Sequence, residues 1–87
     1  MASRRARPSL QHAFGAALRA CRVDRGLSQE ELGHRSGAHR TYISELERGE
    51  KSATLSTIER LSLALETLPS ALLAEAEALS GLDRKRS

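Results

Sequence analysis

The fold is decided by residues 28–49, SQEELGHRSGAHRTYISELERG. Ser28 and Glu31 form a capping box, in which each side chain bonds the other residue's backbone amide, and this pattern predicts the start of a helix. Gly37 ends that helix about two turns later, and a second short helix follows from Arg40 to Arg48. Apolar residues stand where the two helices must pack together: Leu32, Ala38, Ile43 and Leu46. The stretch therefore predicts two short helices that meet at a steep angle across a tight turn.

A longer amphipathic helix is predicted before this pair. Apolar residues recur at steps of three and four between Leu10 and Cys21, which places them on one helical face. Ser9 is a suitable N-cap, and Gly26 is a suitable stop. His39 is the predicted N-cap of the helix that starts at Arg40, which is a less usual choice than Ser, Thr, Asp or Asn.

Two more helices are predicted after the pair. Thr54 caps a fourth helix with apolar residues at Ile58, Leu61, Leu63 and Leu65. Pro69 suits the first turn of a fifth helix, which Gly81 ends. No run of β-branched or aromatic residues indicates a strand. The fold class is therefore predicted to be all-α, a compact domain of five helices with the two-helix unit at its centre.

The 87 residues suffice for one domain with a limited core. Residues 1–8 are predicted to be a flexible basic arm, residues 9–82 the helical domain, and residues 83–87 a charged tail. The net charge is +3, and residues 1–25 hold six Arg and one acid. This basic excess could follow a phosphate backbone, although a weak net charge alone does not establish nucleic-acid binding.

Several function classes are disfavoured by composition. Cys21 is the single cysteine, so an intramolecular disulfide is ruled out. The simplest interpretation of Cys21 is a small buried apolar residue. His12, His34 and His39 form no metal-ligand pattern, and neither a catalytic set nor a phosphate-binding glycine loop is present. No apolar run approaches membrane-spanning length. We expect a cytoplasmic protein that is not an enzyme and needs no metal or cofactor.

The chain resembles the lambda-repressor-like helix-turn-helix family of the Xre/Cro type. The similarity runs from Phe14 to about Leu73 and includes LRACRVDRGLSQEEL, the turn residue Gly37, the segment ISELERG and LSTIERLSLAL. The segment RTYISELERG is also similar to the controller proteins of restriction-modification systems. The resemblance implies a sequence-specific transcriptional regulator that binds double-stranded DNA as a homodimer on a two-fold symmetric operator. An antitoxin or another protein-interaction module of the same fold is the alternative.

The resemblance also assigns roles to residues of the two-helix unit. The residues implied to read bases lie at the start of the second helix of the pair: Arg40, Thr41, Tyr42 and Ser44. Those implied to bind phosphates are Gln29, which also braces the recognition helix, together with Arg48, Lys51 and Ser52. Independently of the family, an Arg can donate two hydrogen bonds to guanine, and a Thr methyl can contact thymine.

Plainer interpretations stand beside these roles. An exposed helical Arg such as Arg40 is often only solvated, and the Tyr42 ring could simply pack on the helix surface. Glu45 either accepts a hydrogen bond from cytosine or is solvated. Arg4, Arg5 and Arg7 either enter the minor groove or belong to a solubilising arm.

Two further expectations concern contacts between helices and between subunits. The resemblance implies a partly buried ion pair of Arg22 with Glu47, which ties the recognition helix to the first helix. The fifth helix is rich in apolar residues and is predicted to form the dimer interface, although it could instead only cap the monomer core. The interface residues predicted are Leu68, Leu72, Leu73, Ala76 and Leu79.

Overall fold

The computed structural model describes residues 8–82, and the chain forms five helices there with no strand. They are α1 Leu10–Asp24, α2 Gln29–Ser36, α3 Arg40–Glu47, α4 Leu55–Ala64 and α5 Pro69–Ser80. The arm residues Arg4, Arg5 and Arg7 and the tail 83–87 lie outside the described residues.

The helix ends follow the local chemistry of the sequence. The Ser9, Ser28 and Thr54 side chains each accept a hydrogen bond from a backbone amide of the first turn that follows. His39 does the same with its Nδ1, which accepts from the Thr41 amide at 3.0 Å. Gly37 ends α2 in the left-handed region at φ 76°, a conformation that costs glycine little. The two-helix unit therefore has the boundaries that the sequence predicts, except that α3 ends at Glu47 and Arg48 is its C-cap.

One core joins all five helices. α1 packs against α5 and α3, and α2 packs against α3 and α4. The buried apolar residues are Ala13, Phe14, Ala17, Leu18, Leu27, Leu32, Ile43, Leu46, Ile58, Leu61, Leu65, Leu72 and Ala76. Cys21 is half-buried and packs against this core, whereas Leu63 lies on the outer face of α4 with 72% of its surface exposed.

The fifth helix turns most of its leucines inward. Leu72 and Ala76 are buried in the core of the protomer, and Leu73 packs against the core half-buried. These positions face α1 and α4, because α5 lies on both helices. Of the five residues predicted for a dimer interface, Leu68 and Leu79 are exposed, and Leu72 and Ala76 are not accessible to a second copy.

Candidate nucleic-acid interface

The outer face of α3 carries polar side chains above a buried apolar face. Ile43 and Leu46 point into the core and are fully buried. Arg40 and Thr41 are exposed, and Ser44 is half-exposed one turn after Arg40. Because residues four apart share a helix face, Arg40 and Ser44 lie next to each other on the outside of α3. This face is free to enter a groove that admits a helix.

Arg40 and Tyr42 differ in their surroundings. The described residues 8–82 offer the Arg40 side chain no hydrogen-bond or ion-pair partner, so its donors face solvent. Tyr42 is half-buried and its ring packs against the core. Arg40 therefore lies on the accessible face of α3, whereas Tyr42 is half-buried and packs against the core.

The back of α3 is held by an ion pair with α1. Arg22 Nε lies 2.6 Å from Glu47 Oε2, and Arg22 Nη2 lies 3.0 Å from Glu47 Oε1, in a two-bond geometry. A third Arg22 nitrogen donates to the Leu27 carbonyl at 2.7 Å. The hydrogen bond to Glu47 raises the pKa of Arg22 above its ordinary value. The sequence-predicted pair is thus present, with exposures of 10% for the Arg22 side chain and 2% for that of Glu47.

Gln29 joins this pair from the start of α2. Its Nε2 donates to Glu47 Oε1 at 3.0 Å, so that Glu47 receives hydrogen bonds from both α1 and α2. This contact is the brace that the family resemblance implies. One of the two amide hydrogens of Gln29 is used in it, which leaves the other for a further acceptor.

A close backbone approach between α1 and α3 is one feature that the sequence analysis did not predict. Gly15 is buried, and a Cβ atom there would collide with the carbonyl oxygens of Leu46 and Glu47. The sequence held a signal for it, because a glycine inside a predicted helix costs about 1 kcal/mol and usually has a packing reason. Gly33 in α2 similarly lies close to the Ala38 carbonyl.

The segment after α3 carries two cations, and both are paired with acids. Arg48 contacts the Glu50 carboxylate at 2.8 and 3.1 Å and also bonds the Ser44 hydroxyl. The hydrogen bonds between them raise the pKa of Arg48 and lower that of Glu50. Lys51 Nζ lies 3.6 Å from Glu45 Oε1. Both cations are on the surface, where such pairs are weak and exchange readily for another anion.

Ser52 makes a bond to α1 that the sequence did not indicate. Its hydroxyl donates to Gln11 Oε1 at 2.5 Å. A Ser hydroxyl has one hydrogen, so in this arrangement the side chain has none left for a phosphate oxygen.

Other kinds of site are not seen in the part of the chain that the structure describes. Residues 8–82 contain no group of His, Cys, Asp and Glu arranged to hold a metal ion. None of the five helices is long and apolar enough to cross a membrane.

The family model described as helix-turn-helix matches residues 18–72, which is more than half of the chain and includes both α2 and α3. The chain belongs to the Xre-type helix-turn-helix family. As a member of this family it is a DNA-binding transcriptional regulator, and α3 is its recognition helix.

Similar proteins include regulators of two kinds. Control protein C.BamHI of Bacillus amyloliquefaciens is 43% identical over 61 residues, which are 69% of this chain and 75% of that protein. The crystal structure of the restriction-modification controller protein C.AhdI from Aeromonas hydrophila matches with a TM-score of 0.70 and 40% identity, over 71% of this chain and 94% of the other. The clp gene regulator ClgR from C. glutamicum matches with a TM-score of 0.84 and 35% identity, over 88% of this chain and 99% of the other.

Proposed function

We propose that this helix-turn-helix regulator binds a two-fold symmetric operator as a homodimer and is a restriction-modification controller protein. The observation that carries the proposal is the contrast within α3. Its inner face and its C-terminal end are fixed by the core, by Arg22 and by Gln29, while Arg40 at its start has no partner among residues 8–82. A rigidly held helix with an unengaged Arg at its start is suited to reading base edges.

Arg40 and Thr41 are the base readers in this proposal. The Arg40 guanidinium has the geometry to donate two hydrogen bonds to O6 and N7 of guanine, and the Thr41 methyl is suited to thymine. Ser44 shares their face, although its hydroxyl is engaged by Arg48 in the free protein. Tyr42 contributes mainly by fixing α3 on the core, since its ring is already packed there.

Arg48 and Lys51 provide phosphate contacts that do not depend on sequence. Each must leave its acidic neighbour, Glu50 or Glu45, and take a phosphate instead. The exchange costs little because these surface pairs are weak. Gln29 adds a phosphate contact through its second amide hydrogen, at a helix N-terminus whose free amides favour an anion.

The controller function is supported by the similarity to C.BamHI and C.AhdI. These two matches are at 43% and 40% identity and cover 69% and 71% of this chain. A controller of this kind acts through its own concentration, because assembly of the dimer sets how much operator is bound.

Selection of binding sites from random-sequence DNA at physiological salt tests the proposal, with wild type, Arg40→Ala and Arg19→Ala compared. Arg19 is an exposed Arg of α1, so its variant loses the same charge away from α3. We expect wild type and Arg19→Ala to enrich one symmetric site. Arg40→Ala should relax one guanine position in each half-site, at a cost of about 1–3 kcal/mol in discrimination. Failure of the folded wild type to enrich any site would refute the proposal, and the fold would then serve a protein partner.

A further inference from the structure

One side of α1 faces the recognition helix and the loop that follows it. Gln11, Gly15, Leu18 and Arg22 are spaced by four, three and four residues, which places them on the same side of the helix. Gly15 meets the α3 backbone and Arg22 holds Glu47. Gln11 lies at the end of this side nearest the loop between α3 and α4, and the function described so far gives it no role.

Gln11 bonds this loop at two points. Its Nε2 donates to the Gly49 carbonyl at 2.7 Å, and its Oε1 accepts from the Ser52 hydroxyl at 2.5 Å. The side-chain amide thus uses its donor and its acceptor ends on residues three apart, with Glu50 and Lys51 between them. A single flat amide that satisfies both ends fixes the relative position of the two anchor points.

The first anchor point is itself held in place. Gly49 is buried, has φ 75° and donates its amide to Leu46 at 3.0 Å. The His12 ring lies directly against it, so a Cβ at this position would collide with the ring. The carbonyl that Gln11 bonds is therefore part of a rigid turn. The second anchor point, Ser52, is exposed and depends more on the Gln11 bond for its position.

We infer that Gln11 is a positioning residue for DNA binding. Its two hydrogen bonds hold the loop between α3 and α4 in a position from which Lys51 can contact the phosphate backbone. This inference rests on the proposed phosphate contact of Lys51. Lys51 lies in the loop that follows α3. Without the two hydrogen bonds of Gln11, the backbone from Glu50 to Ser52 gains conformational freedom. Ordering this segment again on DNA costs conformational entropy, which weakens the contact.

The test measures DNA affinity against salt for Gln11→Met, Lys51→Met and the double variant. Methionine keeps the length and bulk of glutamine but loses both hydrogen bonds. The probes are the duplex enriched in the selection and a mixed-sequence duplex of about 30 base pairs, between about 50 and 300 mM NaCl. Ser80→Ala is the matched control, because it also loses two hydrogen bonds, to Glu77 and Leu82, at the far end of α5.

We expect Gln11→Met to lower affinity about three- to tenfold at low salt, as loss of a hydrogen bond or two would. It should also reduce the slope of log affinity against log salt by up to about 0.9, the value for one phosphate contact. Lys51→Met should reduce the slope by the same amount. The double variant should reduce it no further, because both substitutions remove the same phosphate contact. The preferred base sequence should stay the same, and Ser80→Ala should keep the wild-type slope.

The outcomes separate this inference from the function on which it rests. If Lys51→Met lowers the slope and Gln11→Met does not, the positioning role is wrong and the phosphate contact stands. If the two reductions in slope add in the double variant, Gln11 acts independently of Lys51, and its proposed role in positioning Lys51 is refuted. If Lys51→Met leaves the slope unchanged, the proposed phosphate contact fails, and the inference fails with it.

Discussion

The Glu47 carboxylate is the acceptor that joins α1 and α2 to the end of α3. It is almost fully buried, and its two oxygens receive hydrogen bonds from Arg22 and Gln29. A buried ion pair gains little net stability, because removing both charges from water offsets their attraction. Its value here is geometric, since the two-bond contact fixes the rotation of α3 about its own axis and thereby the direction of Arg40.

Removal of one partner should therefore be far more costly than removal of both. Arg22→Met leaves the Glu47 carboxylate buried with Gln29 as its remaining side-chain partner, and we expect a loss of about 3–5 kcal/mol in the free energy of unfolding. Arg22→Met combined with Glu47→Met should cost less than the single change. Urea denaturation of the wild type, both single variants and the double variant measures this coupling. A single Arg22→Met cost below about 1 kcal/mol would show that the pair is effectively solvated.

Contacts between single residues differ in how far the sequence predicts them. Arg22 and Glu47 were paired by resemblance, and the pair is present. The sequence predicts no role for Gln11 or Gly15. Gln11 bonds Gly49, which is 38 residues away, and Gly15 meets the backbone of Leu46 and Glu47, more than 30 residues away. These contacts form only when α1 lies across α3. Local spacing along the chain carries no information on such contacts, apart from the unexplained glycine inside a helix.

At the scale of single helices, most boundaries were predictable because caps and stops are local. The capping box of α2 is complete, with the Ser28 amide bonding Glu31 at 2.8 Å and the Glu31 amide bonding Ser28 at 3.0 Å. The fifth helix shows the limit of the same reasoning. Its leucines indicated an apolar surface, but only packing decides whether a leucine faces α1 or solvent, and Leu72 and Ala76 face inward.

The capping box also predicts how stability depends on pH. Hydrogen bonding from Ser28, chiefly from its backbone amide, lowers the pKa of Glu31 below its ordinary value of 4.5. A carboxyl whose pKa is lower in the folded state adds stability that is fully present above the unfolded value. That stability is lost as the pH falls through the folded value. We expect Glu31→Gln to flatten the acid side of the profile of unfolding free energy, measured by urea denaturation between about pH 2 and 6.

Glu30→Gln is the matched control for this prediction, because it removes a carboxylate from the same helical turn and leaves the box intact. An acid profile that is equally flattened in both variants would contradict the assignment to the capping box. Total charge in the first turn of α2 would then be responsible instead.

For the whole molecule, dimer formation requires apolar side chains that the protomer leaves exposed. Leu55, Leu63 and Leu68 are the most exposed large apolar residues within 8–82, at 81%, 72% and 67%. They lie on α4 and at the start of α5, so exposed apolar side chains begin earlier in the chain than the fifth-helix interface predicted from sequence. A helix rich in apolar residues indicates that an apolar surface exists, but the side that remains uncovered is set by how α5 lies on α1 and α4.

Leu63→Glu combined with Leu68→Glu should convert the proposed homodimer to a monomer. The change should leave thermal stability near that of the wild type, because both side chains are already solvated in the protomer. Val23→Glu is the matched control, since Val23 is an exposed apolar residue of α1.

Sedimentation equilibrium over a range of concentrations, followed by titration of a symmetric and a half-site duplex, measures the effect. A monomer that still folds should bind both duplexes with similar affinity, because the second recognition helix no longer adds to the first on the symmetric site. If the double variant remains dimeric, the interface lies on another face, and the exposed end of α5 around Leu79 is the next surface to change.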